Sequence, residues 1–409
     1  MSPRFRRNVL KGRIAATAIV ATMLAGNATA DDGDVLMGRV AANVLSDSNV
    51  FRISKNSDPA TAAGATHKDD LITRLTAGGR LDAPYRQQRF VGHLDLSKVK
   101  YQHFDALDHD AIDQRLAWRW AAGSDLNGEI SESYSRSLAG FANFESRIKN
   151  IIDVLQADAR ANYKLTPRWQ LEGAVAHTRI RNNSEERRAN DTNELAIEAG
   201  FKYLAPAGDF AGITARTSDA NYPNRVVESN GVFSADYTQR GIDFVVDRRL
   251  WSHSRLGGRY GYVRRQYSSV SQRDYSGPTG SLSLDWTPGA KSQFTASARR
   301  ELGAFQDFTT SYYLGDGLTA RAVWLPSTRV SLNASYDWQR RRFLGDPGFF
   351  AGAGLERRDI IRTASIGVTY RVSRTGQLGL SLSREDRTTN FPLADYAVNL
   401  LGASASIAF

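Results

Sequence analysis

The stretch Arg329-Val330-Ser331-Leu332-Asn333-Ala334-Ser335-Tyr336-Asp337-Trp338-Gln339-Arg340-Arg341 decides the fold. Val330, Leu332, Ala334, Tyr336 and Trp338 fall on one side of an extended chain. Arg329, Ser331, Asn333, Ser335, Asp337, Gln339 and Arg341 fall on the other. A helix would scatter both sets around its axis. A strand sorts them into a dry face and a wet face. The same period recurs in 293–301, where Phe294, Ala296 and Ala298 oppose Gln293, Thr295, Ser297, Arg299 and Glu301. It recurs again in 192–203 and 376–387. These runs exceed the about five or six residues of soluble strands and suit the about 9–11 of a tilted membrane-crossing strand.

Working outward, Trp118, Trp120, Trp169, Trp251, Trp286, Trp324 and Tyr370 sit at strand ends. Aromatic girdles at the edges of an apolar band belong to transmembrane barrels. Turn signals recur at Ala83-Pro84-Tyr85, 122–125, Thr166-Pro167, 206–208, 252–254, 288–290, Pro326-Ser327 and 374–376. Longer polar segments alternate with them: 45–69, 102–109, 139–150, 182–190, 221–230, 268–276, 303–308, 343–356 and 389–392. With both termini on the tight-turn side, this predicts an all-β outer-membrane barrel of about 18 antiparallel strands. A different reading of 139–150 or 221–248 gives about sixteen. The final strand ends on Phe409. A terminal Phe of this kind resembles the signal that outer-membrane barrels present to their assembly machinery.

The N-terminus carries Arg4, Arg6, Arg7, Lys11 and Arg13, then an uncharged run, then Ala28-Thr29-Ala30. That is a secretory signal layout. Residues 1–30 are expected to be removed, leaving 31–409 as a single outer-membrane barrel. Loss of those five basic residues lowers the net charge from +10 to +5, too little for the chain's length to suggest nucleic acid. The basic set is mostly arginine, which suits an anion-handling lumen, lipopolysaccharide contact, or plain pairing with the acids. There are no cysteines, which removes disulfides and thiolate chemistry.

No catalytic constellation stands out, so neither enzyme activity nor a cofactor is expected. His103, Asp105, Asp108, His109 and Asp110 cluster in one expected loop, where a solvated polar loop accounts for them without a metal. Gly277-Pro278-Thr279-Gly280 reads as a turn. The informative residues are those on the wet face. Alternation turns Arg119, Arg160, Lys164, Lys202, Arg216, Arg259, Arg265, Arg299, Arg321, Arg329, Arg341 and Arg371 into the lumen. It does the same for Asp95, Asp158, Glu172, Glu194, Glu198, Asp236, Asp285, Glu301 and Asp337.

Three stretches carry a resemblance. One is Asp47-Ser48-Asn49-Val50-Phe51-Arg52. Another is Phe104 to Asp110, ahead of Leu116-Ala117-Trp118-Arg119-Trp120. The third is Arg299-Arg300-Glu301-Leu302-Gly303, followed by Asp316-Gly317-Leu318 and by Tyr336 to Gly345. Together they resemble the EpsL family of exosortase-associated outer-membrane proteins. The resemblance implies a barrel that takes part in exporting an extracellular polysaccharide, with periplasmic export components as partners. It implies motif roles for Asp47, Ser48, Asn49, Phe51, Arg52, Arg300, Leu302 and Gly303. A general or solute-specific porin and a plugged structural barrel stay open. Outer-membrane lipid and lipopolysaccharide are the expected surroundings.

Overall fold

In the computed structural model the structure describes residues 35–60, 64, 66–143, 148–225, 234–269, 271–305, 311–345 and 356–409. The expected signal segment, 1–30, lies outside the described residues. Among those described, eighteen strands form one sheet. They are β1 Leu36–Asp47, β2 Asp70–Tyr85, β3 Gln88–Tyr101, β4 His109–Ala122, β5 Leu126–Leu138 and β6 Ile151–Thr166. Then come β7 Trp169–Asn182, β8 Thr192–Leu204, β9 Phe210–Asn221, β10 Tyr237–Trp251, β11 Ser254–Tyr267 and β12 Tyr275–Gly289. The last six are β13 Ser292–Ala304, β14 Tyr312–Trp324, β15 Val330–Leu344, β16 Arg358–Arg371, β17 Gly376–Thr389 and β18 Tyr396–Ala408. Each strand pairs antiparallel with its neighbours, and β1 pairs with β18, so the sheet closes into a barrel. Closure removes every free edge, the only way a sheet can satisfy its backbone in lipid.

Two contacts lock the closing seam. At one end Gly38 and Phe409 exchange backbone hydrogen bonds of 2.6 and 2.9 Å. A Cβ on Gly38 would come within 2.5 Å of the Phe409 ring, so only glycine leaves room for that ring. At the other end Ser48 donates its N–H to the Asn399 carbonyl, and Asn399 donates back to Ser48 Oγ at 2.8 Å.

Eight tight turns lie at the terminus end and nine longer loops at the other. We number the loops L1 (48–69), L2 (102–108), L3 (139–150) and so on to L9 (390–395). The three register irregularities all fall at tight turns, in β6/β7, β10/β11 and β12/β13. Two local expectations are corrected. Pro84 is still in β2, opposite Arg89, and the turn is made two residues later, where Arg86 takes a φ of 54°. Gly277-Pro278-Thr279-Gly280 lies within β12 and pairs with β11, so it is not a turn. Its breaker residues act on the other edge: the β12–β13 ladder rises only to Gly280 opposite Arg300 and stops there.

The wall separates two environments. Outside, Leu116, Ile130, Leu195, Ile213, Ile242, Leu282, Ile366, Leu380 and Leu401 are exposed around the barrel. Each such side chain left in water would forgo about 1.5–3 kcal/mol of burial. A continuous band of them is stable only against an apolar phase. Phe90 and Trp118, Trp169 and Phe201, and Trp286 and Phe294 stack as cross-strand pairs near the tight turns. They form the girdle at that edge. Two small apolar clusters lie at the loop end.

Candidate functional site

The interior wall from β4 to β11 carries a ladder of ion pairs. Arg119 Nε donates to Glu129 at 2.8 Å, and Arg115 reaches the other carboxylate oxygen at 3.1 Å. Glu172 is gripped by Lys202, with Arg160 at 3.9 Å. Arg216 lies 3.9 Å from Glu194, and Arg259 pairs with Asp243. Side chains alternate along each strand, so partners on adjacent strands meet inside at each level. Arg115, Arg119, Arg160 and Arg216 border an interior space of about 750 Å³, together with Glu129, Asp158, Glu194 and Glu198. Base and acid balance there, so this wall is strongly polar without being one-signed. The more exposed of these pairs, such as Arg115 and Arg119 with Glu129, contribute about 0–1 kcal/mol each. They shape the bore more than they stabilise the fold.

The facing wall is built from smaller groups. Ser335 and Ser365 share a hydrogen bond of 2.7 Å across β15 and β16. Thr295 donates to Asp285 at 2.6 Å. Arg299 lies over Gly317, where a Cβ would crowd its guanidinium, and donates to Thr319 at 2.9 Å and Asp337 at 3.2 Å. Gln339 donates to Glu301 at 3.1 Å and accepts from Arg341 at 2.9 Å. The Arg341 guanidinium lies 4.9 Å from the Tyr313 ring centre.

The remaining expected lumen residues are distributed differently. Arg321 stands between Thr295 and Ser335 with no carboxylate at ion-pair distance among the described residues. Arg329 sits in the turn before β15 and Arg371 ends β16, both at the tight-turn rim. Arg265 is sealed in at 3% exposure, bound to Gln239 at 2.7 and 3.0 Å and stacked 4.1 Å from Tyr237. Asp236 is not on a strand. It lies in L5 and accepts from the Tyr222 backbone at 2.7 Å and from Asn221 at 2.9 Å.

The loop end is narrowed by L1, L2 and L3. Phe51, Phe104 and Phe141, one from each loop, pack edge to face at 4.8 and 4.9 Å. The L1 motif residues hold this knot. Asp47 accepts from Asn49 N at 2.8 Å and from Arg52 at 2.9 Å. The Asn49 side chain brackets Ile53, accepting from its N–H at 2.9 Å and donating to its carbonyl at 2.8 Å. Arg52 adopts a φ of 55°, a strained setting for a side chain of this size, fixed by those bonds. L2 hangs from Asp70, which accepts the backbone N–H groups of Gln102, His103 and Phe104 at 2.9–3.2 Å. L3 reaches β17, where the buried Arg387 donates to the Ala142 carbonyl and to buried Asp359.

The other motif residues are wall features. Gly303 gives room to the Tyr313 ring, Leu302 packs against the second apolar cluster, and Arg300 faces outward, 3.6 Å from Asp316. The L2 cluster does not converge. His103 Nδ1 contacts the Asp69 carbonyl at 3.2 Å, His109 Nδ1 the Leu107 carbonyl at 2.8 Å, and Asp108 takes Lys100 at 2.5 Å. No group of three or more potential ligands among the described residues could hold a metal. Arg115, Glu129 and Asp243 were reachable by extending the alternation. The Arg387–Asp359–Ala142 tie was not, because it depends on where a loop lands.

Comparison with known proteins agrees with the architecture. The family model described as "Putative beta-barrel porin 2" matches residues 257–409, the part from β11 onward. No curated protein sequence matches the chain. Among solved structures, OccK2 (OpdF) of Pseudomonas aeruginosa has a TM-score of 0.51 at 11% identity, covering 91% of this chain and 98% of its own. P. aeruginosa OpdK with vanillate scores 0.49 at 9% identity, covering 91% and 99%. A BenF-like porin from Pseudomonas fluorescens Pf-5 scores 0.49 at 10% identity, covering 92% and 99%. At such identity the OccK2 likeness shows a shared barrel fold and nothing narrower.

Proposed function

We propose that this barrel is an outer-membrane porin that passes small polar solutes by diffusion. The observation that carries the proposal is the interior: a ladder of paired charges on one wall and a mixture of hydroxyls with a few paired charges on the other, behind an apolar exterior. Solutes meeting such walls make weak, repeated contacts, which favour passage over capture. The partial family match to a β-barrel porin supports the same reading. The phenylalanine knot of L1–L3 makes the channel narrow at its outer mouth and limits solute size. Purified protein in planar bilayers is expected to give discrete conductance steps. A silent barrel would leave the plugged structural alternative.

A narrower reading is a role in export of an extracellular polysaccharide, with periplasmic export components as partners. It rests on the family resemblance, and the hydroxyl-lined wall supports it, since a glycan slides on such contacts. Threading a polymer would need the L1–L3 knot to open. A deletion strain that releases polymer normally would remove this reading and leave the porin proposal standing. In both readings β18, with Phe409 just beyond it, is what the assembly machinery would engage.

A further inference from the structure

The arginines that alternation turns outward form their own pattern, independent of the lumen. Arg240 on β10 stands directly opposite Arg264 on β11. Arg342 on β15 stands directly opposite Arg358 on β16. Like charges facing each other across a ladder repel, and a folded sheet keeps them only where something neutralises them. Arg358 has Glu356 at 3.3 Å. Arg240, Arg264 and Arg342 have no carboxylate at ion-pair distance among the described residues. Between the two pairs, Arg300 and Arg340 share a single acid, Asp316, at 3.6 and 2.9 Å. The Nε–H groups of Arg300 and Arg342 are shielded from solvent yet donate to no hydrogen-bond acceptor among the described residues.

Height on the wall adds to the charge argument. Arg240 is two residues above Ile242, and Arg264 two above Tyr262, both strongly exposed members of the apolar band. Arg340 follows Trp338 on the same face. The patch therefore sits at the loop-side edge of the band, where headgroups of the outer leaflet meet protein. A carboxylate-poor row of guanidinium forks on β10, β11, β13 and β15 suits a lipid carrying more than one phosphate better than single small anions, because each fork binds phosphate bidentately. Acyl chains attached to those phosphates would lie along Ile242, Phe244 and Leu282 below.

We propose that the outward face of β10–β16 is a docking surface for a phosphorylated glycolipid of the outer leaflet, its phosphates held by Arg240, Arg264, Arg300, Arg340 and Arg342. The test uses the full-length barrel in detergent, titrated with deep-rough lipopolysaccharide and with the same lipid after dephosphorylation, and read by native mass spectrometry. Variants are the triple Arg264→Gln/Arg340→Gln/Arg342→Gln and, as the charge-preserving version, the same three positions changed to Lys. Heat-modified migration on gels checks that each barrel is folded. The phosphorylated lipid is expected to bind wild type at least tenfold more tightly than the Gln variant, with the Lys variant between them and the dephosphorylated lipid weak on all three. Equal binding by wild type and Gln variant, or equal binding of both lipids, would overturn the proposal. Full displacement of the lipid by low-millimolar inorganic phosphate would also overturn it, making the patch a free-anion site.

Discussion

The Arg387 guanidinium, on β17, donates to the carbonyl of Ala142 in L3, six strands away around the wall. The same guanidinium pairs with Asp359, and both side chains are almost fully buried, at 1% and 0% exposure. This tie holds the third loop across the mouth. It is the clearest point at which one side chain sets the bore.

Arg387→Met keeps the volume and removes the charge. Asp359 retains Arg357 at 3.3 Å, so the barrel stays folded, although breaking a buried pair costs about 3–5 kcal/mol in general. The loop is released. Single-channel records are expected to show larger and noisier steps than wild type.

Asp70→Ala strips the acceptor from the His103 and Phe104 amides of L2 and leaves Gln102 only the Leu71 carbonyl at 3.2 Å. Losing these bonds costs about 0.5–1.5 kcal/mol each, and nothing else among the described residues on the strand ends replaces the carboxylate, so the loop detaches. Limited proteolysis is expected to cut within 102–108 in the variant and to spare wild type.

Charge preference separates two arginines that look equivalent in sequence. Arg299 is neutralised by Asp337, whereas Arg321 has no such partner. Arg321→Ala is expected to move the reversal potential toward cation preference, and removal of the whole neutral pair in Arg299→Ala/Asp337→Ala to move it far less. Equal shifts would show that pairing does not screen the lumen charge.

L2 has a further tether outside the strands. Asp108 is held below the usual carboxylate range, chiefly by its hydrogen bond from Lys100 and next by the Tyr101 amide. A group that titrates below its unfolded value lends its full support above the ordinary range, near 3.8, and loses it as pH falls through the lower folded value. The hydrogen-exchange protection factor in 102–108, the rate of an unstructured amide at the same pH relative to the observed rate, is therefore expected to be constant from neutral pH down to about 5 and to fall only in stronger acid.

The fold was legible because one periodicity, repeated in segment after segment, admits one architecture. Strand number followed from the alternation of short turns with long loops. The misreadings were local and had physical causes. Gly277-Pro278 has the chemistry of a turn, but pairing with β11 overrides it. Asp236 was counted by parity although the chain enters β10 only at Tyr237. The lumen was legible by parity alone, and Arg119, Arg160 and Arg216 do border one interior space. Which charges cancel was not legible, because it depends on which strands are neighbours and at what height. The outward arginines were in plain view: Arg340 and Arg342 share the phase of Tyr336 and Trp338. Only the pairing register reveals that they face other arginines.

The two locks on the β1–β18 seam also determine something global. In a closed barrel, strand number and stagger together fix tilt and diameter. Sliding the last strand along the first by one repeat would yield a barrel of another width with much the same hydrogen-bond count. Phe409 on Gly38 at one end and Asn399 on Ser48 at the other forbid that slide in both directions. The calibre of the pore is thus written into four residues of the seam, two at each end of it.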